Sequence, residues 1–134
     1  MKELNSLIGK TVTNLFVGVG ENDLYFVTKE YIYRLPTYGD CCSETWFSDV
    51  TGFNALIGSP VISIEEKDLP QEEDGRTRQE CDQFMGFTIK TEKGHSDVLY
   101  RNSSNGCYGG SADDLREVVQ VPESAKEIMD DWSA

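Results

Sequence analysis

The chain has 134 residues and a formal net charge of −12 at pH 7, a length that suits one domain with its own hydrophobic core. So large an acidic excess argues against direct, sequence-independent binding to a nucleic-acid backbone, which needs clustered Lys and Arg. No apolar run approaches the ~18 residues of a membrane span, and the opening MKELNSLIGKTV lacks the apolar stretch of a signal peptide, so a cytoplasmic protein with no membrane partner is expected.

Residues 11–19 are rich in β-branched and apolar side chains, are closed by Gly18 and Gly20, and read as a strand. Residues 24–28 and 31–35 follow at hairpin spacing, with Pro36 ending the second. Ser43 is placed to cap a short helix that carries Trp46, Phe47 and Val50 and stops near Gly52. Residues 61–65 alternate weakly, as a strand does. The next stretch, EKDLPQEEDGRTRQE at 66–80, has almost no apolar side chains and predicts an exposed, mobile acidic loop. Residues 84–90 set Met85, Phe87 and Ile89 on one face, and residues 98–101 return after a turn at 92–95. Ser111 could cap a further turn through Leu115. Finally, Pro122 suits the first turn of a helix whose Ala125, Ile128, Met129 and Trp132 recur at i, i+3, i+4 and i+7. Short spacings between strands favour antiparallel pairing. The expected fold is a single α+β domain over residues 1–134: a mainly antiparallel sheet, a short helix after the first motif, and a C-terminal amphipathic helix.

Cys41, Cys42, Cys81, Cys107 and His95 make no recognisable metal site, because adjacent cysteines do not easily face one tetrahedral ion and no C-x-x-C spacing is present. No metal and no cofactor is expected. In a reducing compartment disulfides are not expected either, and the thiols read as buried and free. A thiol nucleophile needs a base, and the one histidine falls in a hairpin loop with no group to orient it. Asp40 or Glu44 as a general base has neither a metal cluster nor a basic clamp beside it. No catalytic residue is nominated, and a non-enzymatic binding protein is expected.

Two segments are too unusual to be connections alone. In GDCCSETWF, residues 39–47, a Gly-Asp turn precedes two thiols, a hydroxyl and the aromatic pair Trp46 and Phe47. The bland reading makes these fillers, a cap and core anchors. In RNSSNGCYGG, residues 101–110, Asn105-Gly106 favours a tight turn with positive φ, and Gly109-Gly110 lets backbones approach closely. Here Asn102, Ser104 and Asn105 can read a base edge or a ribose hydroxyl, Arg101 can pair with a phosphate, and Tyr108 can stack on a ring. Trp46 or Phe47 would complete that ligand site. The competing reading is an elaborate turn whose polar side chains satisfy its own backbone. The segment lies in the one stretch that is not acidic, 83–111, whereas 61–82 and 112–134 are strongly acidic.

GDCCSETWF followed by YRNSSNGCYGG resembles a family of small uncharacterised phage and bacterial proteins that carry both motifs in this order, and the resemblance spans residues 7–115. In that family the second motif usually reads NGYYGG, so Cys107 stands in place of an aromatic. The family name brings no activity with it. In size, acidity and a sheet-then-helix layout, the chain is also similar to the phage Thoeris anti-defence sponges, which bind cyclic ADP-ribose isomers and cyclic oligonucleotides between subunits. That similarity implies a homo-oligomer, in the host cytoplasm, that sequesters a cyclic nucleotide or ADP-ribose-type signal. The alternative is an acidic inhibitor of anti-CRISPR or anti-restriction type that occupies the nucleic-acid-binding groove of a basic protein partner through residues 61–82 and 112–134.

Overall fold

The computed structural model describes residues 2–40, 42–69, 76, 78, 79, 81–106, 108–112 and 114–134. In chain order its first strands are β1 (Lys2–Glu3), β2 (Val12–Val17), β3 (Asp23–Thr28), β4 (Ile32–Pro36), β5 (Tyr38–Gly39) and β6 (Ser43–Thr51). They are followed by β7 (Ser63–Leu69), β8 (Cys81–Thr91), β9 (Gly94–Ser104), β10 (Gly110–Ser111), β11 (Asp114–Val118), β12 (Lys126–Ile128) and β13 (Trp132–Ser133). Helical structure among the described residues is a single α-turn, α1 (Phe53–Leu56), and two 3-10 turns at Leu4–Leu7 and Val19–Glu21.

One sheet has the order β1-β11-β4-β3-β2-β12, a second has β13-β6-β9-β8-β7, and β5 pairs with β10 as a short ribbon. The ladders between these strands are antiparallel. The two large sheets share one core. Leu15, Leu24, Phe26, Leu35 and Leu115 enter it from the first sheet, and Phe47, Val50, Phe87, Ile89 and Val98 from the second. Each such side chain, fully buried, stabilises the fold by roughly 1.5–3 kcal/mol. Leu7, Phe53 and Leu56 from the connecting turns join the same cluster.

The longest ladder is the β8–β9 hairpin, paired from Thr91↔Gly94 at the turn to Cys81↔Ser104 at the far end. Side chains alternate across a strand, so β9 turns Val98, Tyr100, Asn102 and Ser104 to the core side and Asp97, Leu99, Arg101 and Ser103 to the outer side. The polar half of the second motif is therefore the end of a central strand.

The α+β expectation is overturned in two places. Residues 43–51, expected as a capped helix, are strand β6, paired with β9 from Ser43↔Ser104 to Thr51↔Asp97. The β-branched and aromatic content of SETWFSDVT suits a strand, and the pairing opportunity along β9 outweighs the capping look of Ser43. Trp46 and Phe47, an adjacent aromatic pair carried by the expected helix, project to opposite faces of the sheet. The expected C-terminal amphipathic helix is absent as well. Residues 126–128 form β12 on the edge of β2, and residues 132–133 form β13 on the edge of β6. An isolated segment of this length is marginal as a helix; Ile128 reaches the core and Trp132 packs against it, while Met129 is 75% exposed. Asp131, which would oppose the dipole of such a helix, instead accepts a hydrogen bond from the Phe53 N–H at 2.8 Å, at the start of α1.

Two further expectations change. Of the loop expected at 66–80, the first four residues belong to β7; Arg76, Arg78 and Gln79 lie on the outer face of the second sheet, and the rest fall outside the described residues. Cys42 is exposed, lies outside any disulfide and has a left-handed backbone (φ 71°), and Cys81 takes part in a disulfide, so neither is a buried free thiol. Cys41 and Cys107 lie outside the described residues.

Candidate functional site

The two motifs meet on β6 and β9, and register sorts their side chains into two rows. Trp46 pairs with Arg101, Arg101 with Phe84, and Phe84 with Leu69, which lays one row across β6, β9, β8 and β7. The adjacent row is Thr45, Asn102 and Gln83. Alternation puts the first row on the outer face and the second on the core side.

The core-side row is closed on itself. Asn102 is fully buried; its Oδ1 accepts from Thr45 Oγ1 at 2.8 Å, and its Nδ2 donates to Gln83 Oε1 at 3.2 Å and to the Tyr108 carbonyl. Ser104 Oγ donates to the same carbonyl at 3.3 Å. Ser43 Oγ donates to the carbonyls of Asp40 and Gly109, at 2.8 and 3.2 Å. Gly39 pairs with Gly110 in the β5–β10 ribbon, and a Cβ on Gly110 would run into Thr45 Oγ1 and Asn102 Oδ1. The two motifs thus form one structural unit, in which hydroxyls and an amide satisfy the backbone of a turn. Phe47 sits in the core, edge-on to Tyr100 at 6.1 Å. Asn105 is exposed, with its N–H donating to Gln79 Oε1 at 3.0 Å, and Tyr108 is half exposed. Of the seven residues nominated for a ligand, the structure brings Arg101 and Trp46 together on the outer face. It places Asn102, Ser104 and Phe47 on the opposite side and leaves Asn105 and Tyr108 in the turn.

The outer row is different in kind. Arg101, itself buried, lies with its guanidinium 4.3 Å from the Phe84 ring centroid. Arg78 lies 4.0 Å over the buried Trp46 ring and stands 3.6 Å from Glu44. Arg76 reaches both carboxylate oxygens of Asp49, at 3.2 and 3.4 Å, and donates to the Ser48 carbonyl. Three of the chain's five arginines therefore gather on one face of a strongly acidic protein. Beside them is a cavity of about 410 Å³ whose walls include Leu69, Phe84, Leu99, Asp49, Arg76 and Arg101. A second cavity of about 440 Å³ is lined by Asn22, Thr37, Ser43, Glu44 and Arg78, so Arg78 and the first motif contribute to it. On the same outer face Asp82 is buried, and among the described residues neither of its carboxylate oxygens has a hydrogen-bond partner.

Arg76 and Arg78 escape a reading of the sequence because they sit in an acidic, apolar-poor run; the usable signal was the Arg-Thr-Arg spacing inside it. Phe84 and Leu99 were legible only as strand residues, and Leu69 fell within the loop expected at 66–80. Away from this face, hydrogen bonds from Arg116, with help from the Tyr38 hydroxyl, hold the Asp114 carboxyl below the usual carboxylate range. Burial pushes the Tyr25 hydroxyl up, with the Asp23 charge adding to it and Arg34 opposing. Among the described residues no group of three His, Cys, Asp or Glu is placed to hold a metal ion, and no helix is long and apolar enough to cross a membrane.

Residues 5–113 match the family described as domain of unknown function DUF7448, and the chain belongs to that family. No curated protein and no solved structure matches it.

Proposed function

For this member of a family without an assigned activity, we propose a non-enzymatic role: binding of a small, anionic, nucleotide-like ligand on the outer face of the second sheet. The observation that carries this reading is the cavity of about 410 Å³ with Leu69, Phe84 and Leu99 as apolar surface and Arg76 and Arg101 as cationic wall. Its size falls in the range of small-molecule sites, roughly 300–1,000 Å³. Guanidinium groups match phosphate oxygens in pairs, and flat apolar surface accepts a base or sugar ring. The Arg76–Asp49 pair is partly solvated, and such pairs are worth only about 0–1 kcal/mol, so a phosphate can displace the carboxylate at little cost. The described titratable groups of this cavity are paired or stacked and are not arranged as nucleophile and base.

The finer form of the proposal is a phage anti-defence sponge that sequesters a cyclic nucleotide or ADP-ribose-type signal in the host cytoplasm, as a homo-oligomer. It draws on the likeness to Thoeris sponges in size and acidity; the layout part of that likeness falls with the C-terminal helix. A thermal-shift screen against cyclic ADP-ribose isomers, cyclic dinucleotides and linear nucleotides tests it. A ligand at a hundred times its Kd stabilises the native state by about 2.7 kcal/mol, or about 5–10 °C for a domain of this size. Recovery of the ligand unchanged after heat denaturation supports sequestration. Absence of any shift across the panel, or recovery of a converted product, overturns the reading.

One observation favours the protein-binding alternative. The acidic region expected at 61–82 presents Glu65, Glu66 and Asp68 exposed along β7, as an inhibitor directed at a basic groove would. Capture of such a partner must weaken steeply with salt.

A further inference from the structure

We propose that the free edge of β7 is a docking site for an extended, Lys/Arg-rich segment of a partner protein, which joins the five-stranded sheet as an additional strand. The inference stands apart from the ligand reading above, because it rests on the backbone of β7 and not on the arginine face.

β7 closes one side of the second sheet. Its seven residues pair with β8 at seven successive positions, from Ser63↔Lys90 to Leu69↔Phe84, without a register shift. Among the described residues no strand pairs with its other edge. Natural sheets blunt edges of this length with proline, a bulge, extreme shortness or charge. SIEEKDL has no proline, its ladder has no bulge, and it is long for an edge, so among the described residues charge is the guard it carries.

That guard has a sign. Glu65, Glu66 and Asp68 are exposed together with a single cation, Lys67, which leaves the strand at −2. A second copy of this chain would bring another −2 to within a strand spacing of ~4.8 Å, on a body that itself carries −12. Self-pairing is thereby opposed. A basic strand meets the reverse situation. Glu66 and Asp68 lie on one side of the pleat and Glu65 and Lys67 on the other, so Lys or Arg at alternate positions would stand across from Glu66 and Asp68. Opposite charges facing each other across a ladder are each worth a few tenths of a kcal/mol to about 1 kcal/mol. Residues between them would stand on the side of Glu65, Lys67 and Leu69. Main-chain hydrogen bonds would supply affinity and the alternating charges selectivity, as in other cases of strand addition.

Fluorescence anisotropy with a labelled heptapeptide of alternating Arg and Val measures the docking at low salt, and hydrogen exchange of residues 63–69 locates it. A second peptide of the same sequence, N-methylated at alternate amides, keeps the charge and loses the ladder. The proposal expects binding of the first peptide, slower exchange within 63–69, and affinity about tenfold weaker both for the methylated peptide and for the Glu66→Lys/Asp68→Lys variant. Both substituted side chains are exposed, so the variant is expected to fold, which its unfolding midpoint checks. Equal binding of the two peptides, or unchanged exchange at 63–69, would show attraction to bulk acidity and overturn the proposal. So would protection of 63–69 that grows with protein concentration alone, which assigns the edge to a second copy.

Discussion

Two rows of side chains run side by side across the second sheet, and they differ in where their polar groups find partners. In the core-side row, Asn102 is enclosed and spends its amide on Thr45, Gln83 and the Tyr108 carbonyl. In the outer row, guanidiniums lie on aromatic rings and form partly solvated ion pairs with Asp49 and Glu44. Buried hydrogen bonds are expensive to lose, because a partner left behind keeps its desolvation cost. Solvated ion pairs are cheap to lose. The comparison teaches that Asn102 and the hydroxyls of the two motifs do structural work, while the outer-row arginines, Arg101 among them, are the groups to which the proposed ligand is assigned.

The sharpest way to break this contrast is Asn102→Leu. It removes the 2.8 Å partner of the buried Thr45 hydroxyl and one of the two donors to the Tyr108 carbonyl, and is expected to destabilise the fold by about 2 kcal/mol. Urea unfolding monitors it; a loss below ~1 kcal/mol would mean that the row is not the closed network described. Next in size is Arg76→Ala, whose stability cost is expected to stay under ~1 kcal/mol while affinity for a nucleotide ligand falls about tenfold or more. A large stability loss with intact binding would reverse the roles of the two rows.

How much of this was legible beforehand follows the same division. Residues 11–19, 24–28 and 31–35 announce β2, β3 and β4 through local chemistry, because β-branched runs punctuated by Gly and Pro need no tertiary information. Residues 43–51 do not, since Ser43 and Gly52 mimic helix signals and only pairing with β9 decides the conformation. The spacing of Ala125, Ile128, Met129 and Trp132 is helical in period, yet the open edges of β2 and β6 claim the segment. The candidate site was legible residue by residue but not as a constellation. Arg101 and Trp46 were singled out, and a helical reading of 43–51 could not reveal that Trp46 and Phe47 face opposite ways. The arginines at 76 and 78 were hidden by the acidity around them.

The smallest expected effect lies away from both rows and calibrates them. The Asp114 carboxyl is held below its ordinary value of 3.8, chiefly by hydrogen bonding from Arg116. A depressed acid contributes stability above its unfolded-state pKa and loses it as pH falls through the folded value. Asp114→Asn should therefore lower stability at neutral pH and flatten the acid side of the pH–stability curve below about pH 4. An unchanged acid limb would show that the Asp114–Arg116–Tyr38 cluster contributes little.

The central claim is that ligand binding belongs to the outer row and not to the glycine-rich turn. Titration calorimetry of a nucleotide that raises the melting temperature, run on the wild type, Arg76→Ala and Asn105→Ala, tests it most directly. The account predicts affinity about tenfold weaker or worse in Arg76→Ala and within about twofold of wild type in Asn105→Ala. Intact binding in Arg76→Ala with loss in Asn105→Ala would place the site in the turn and contradict it.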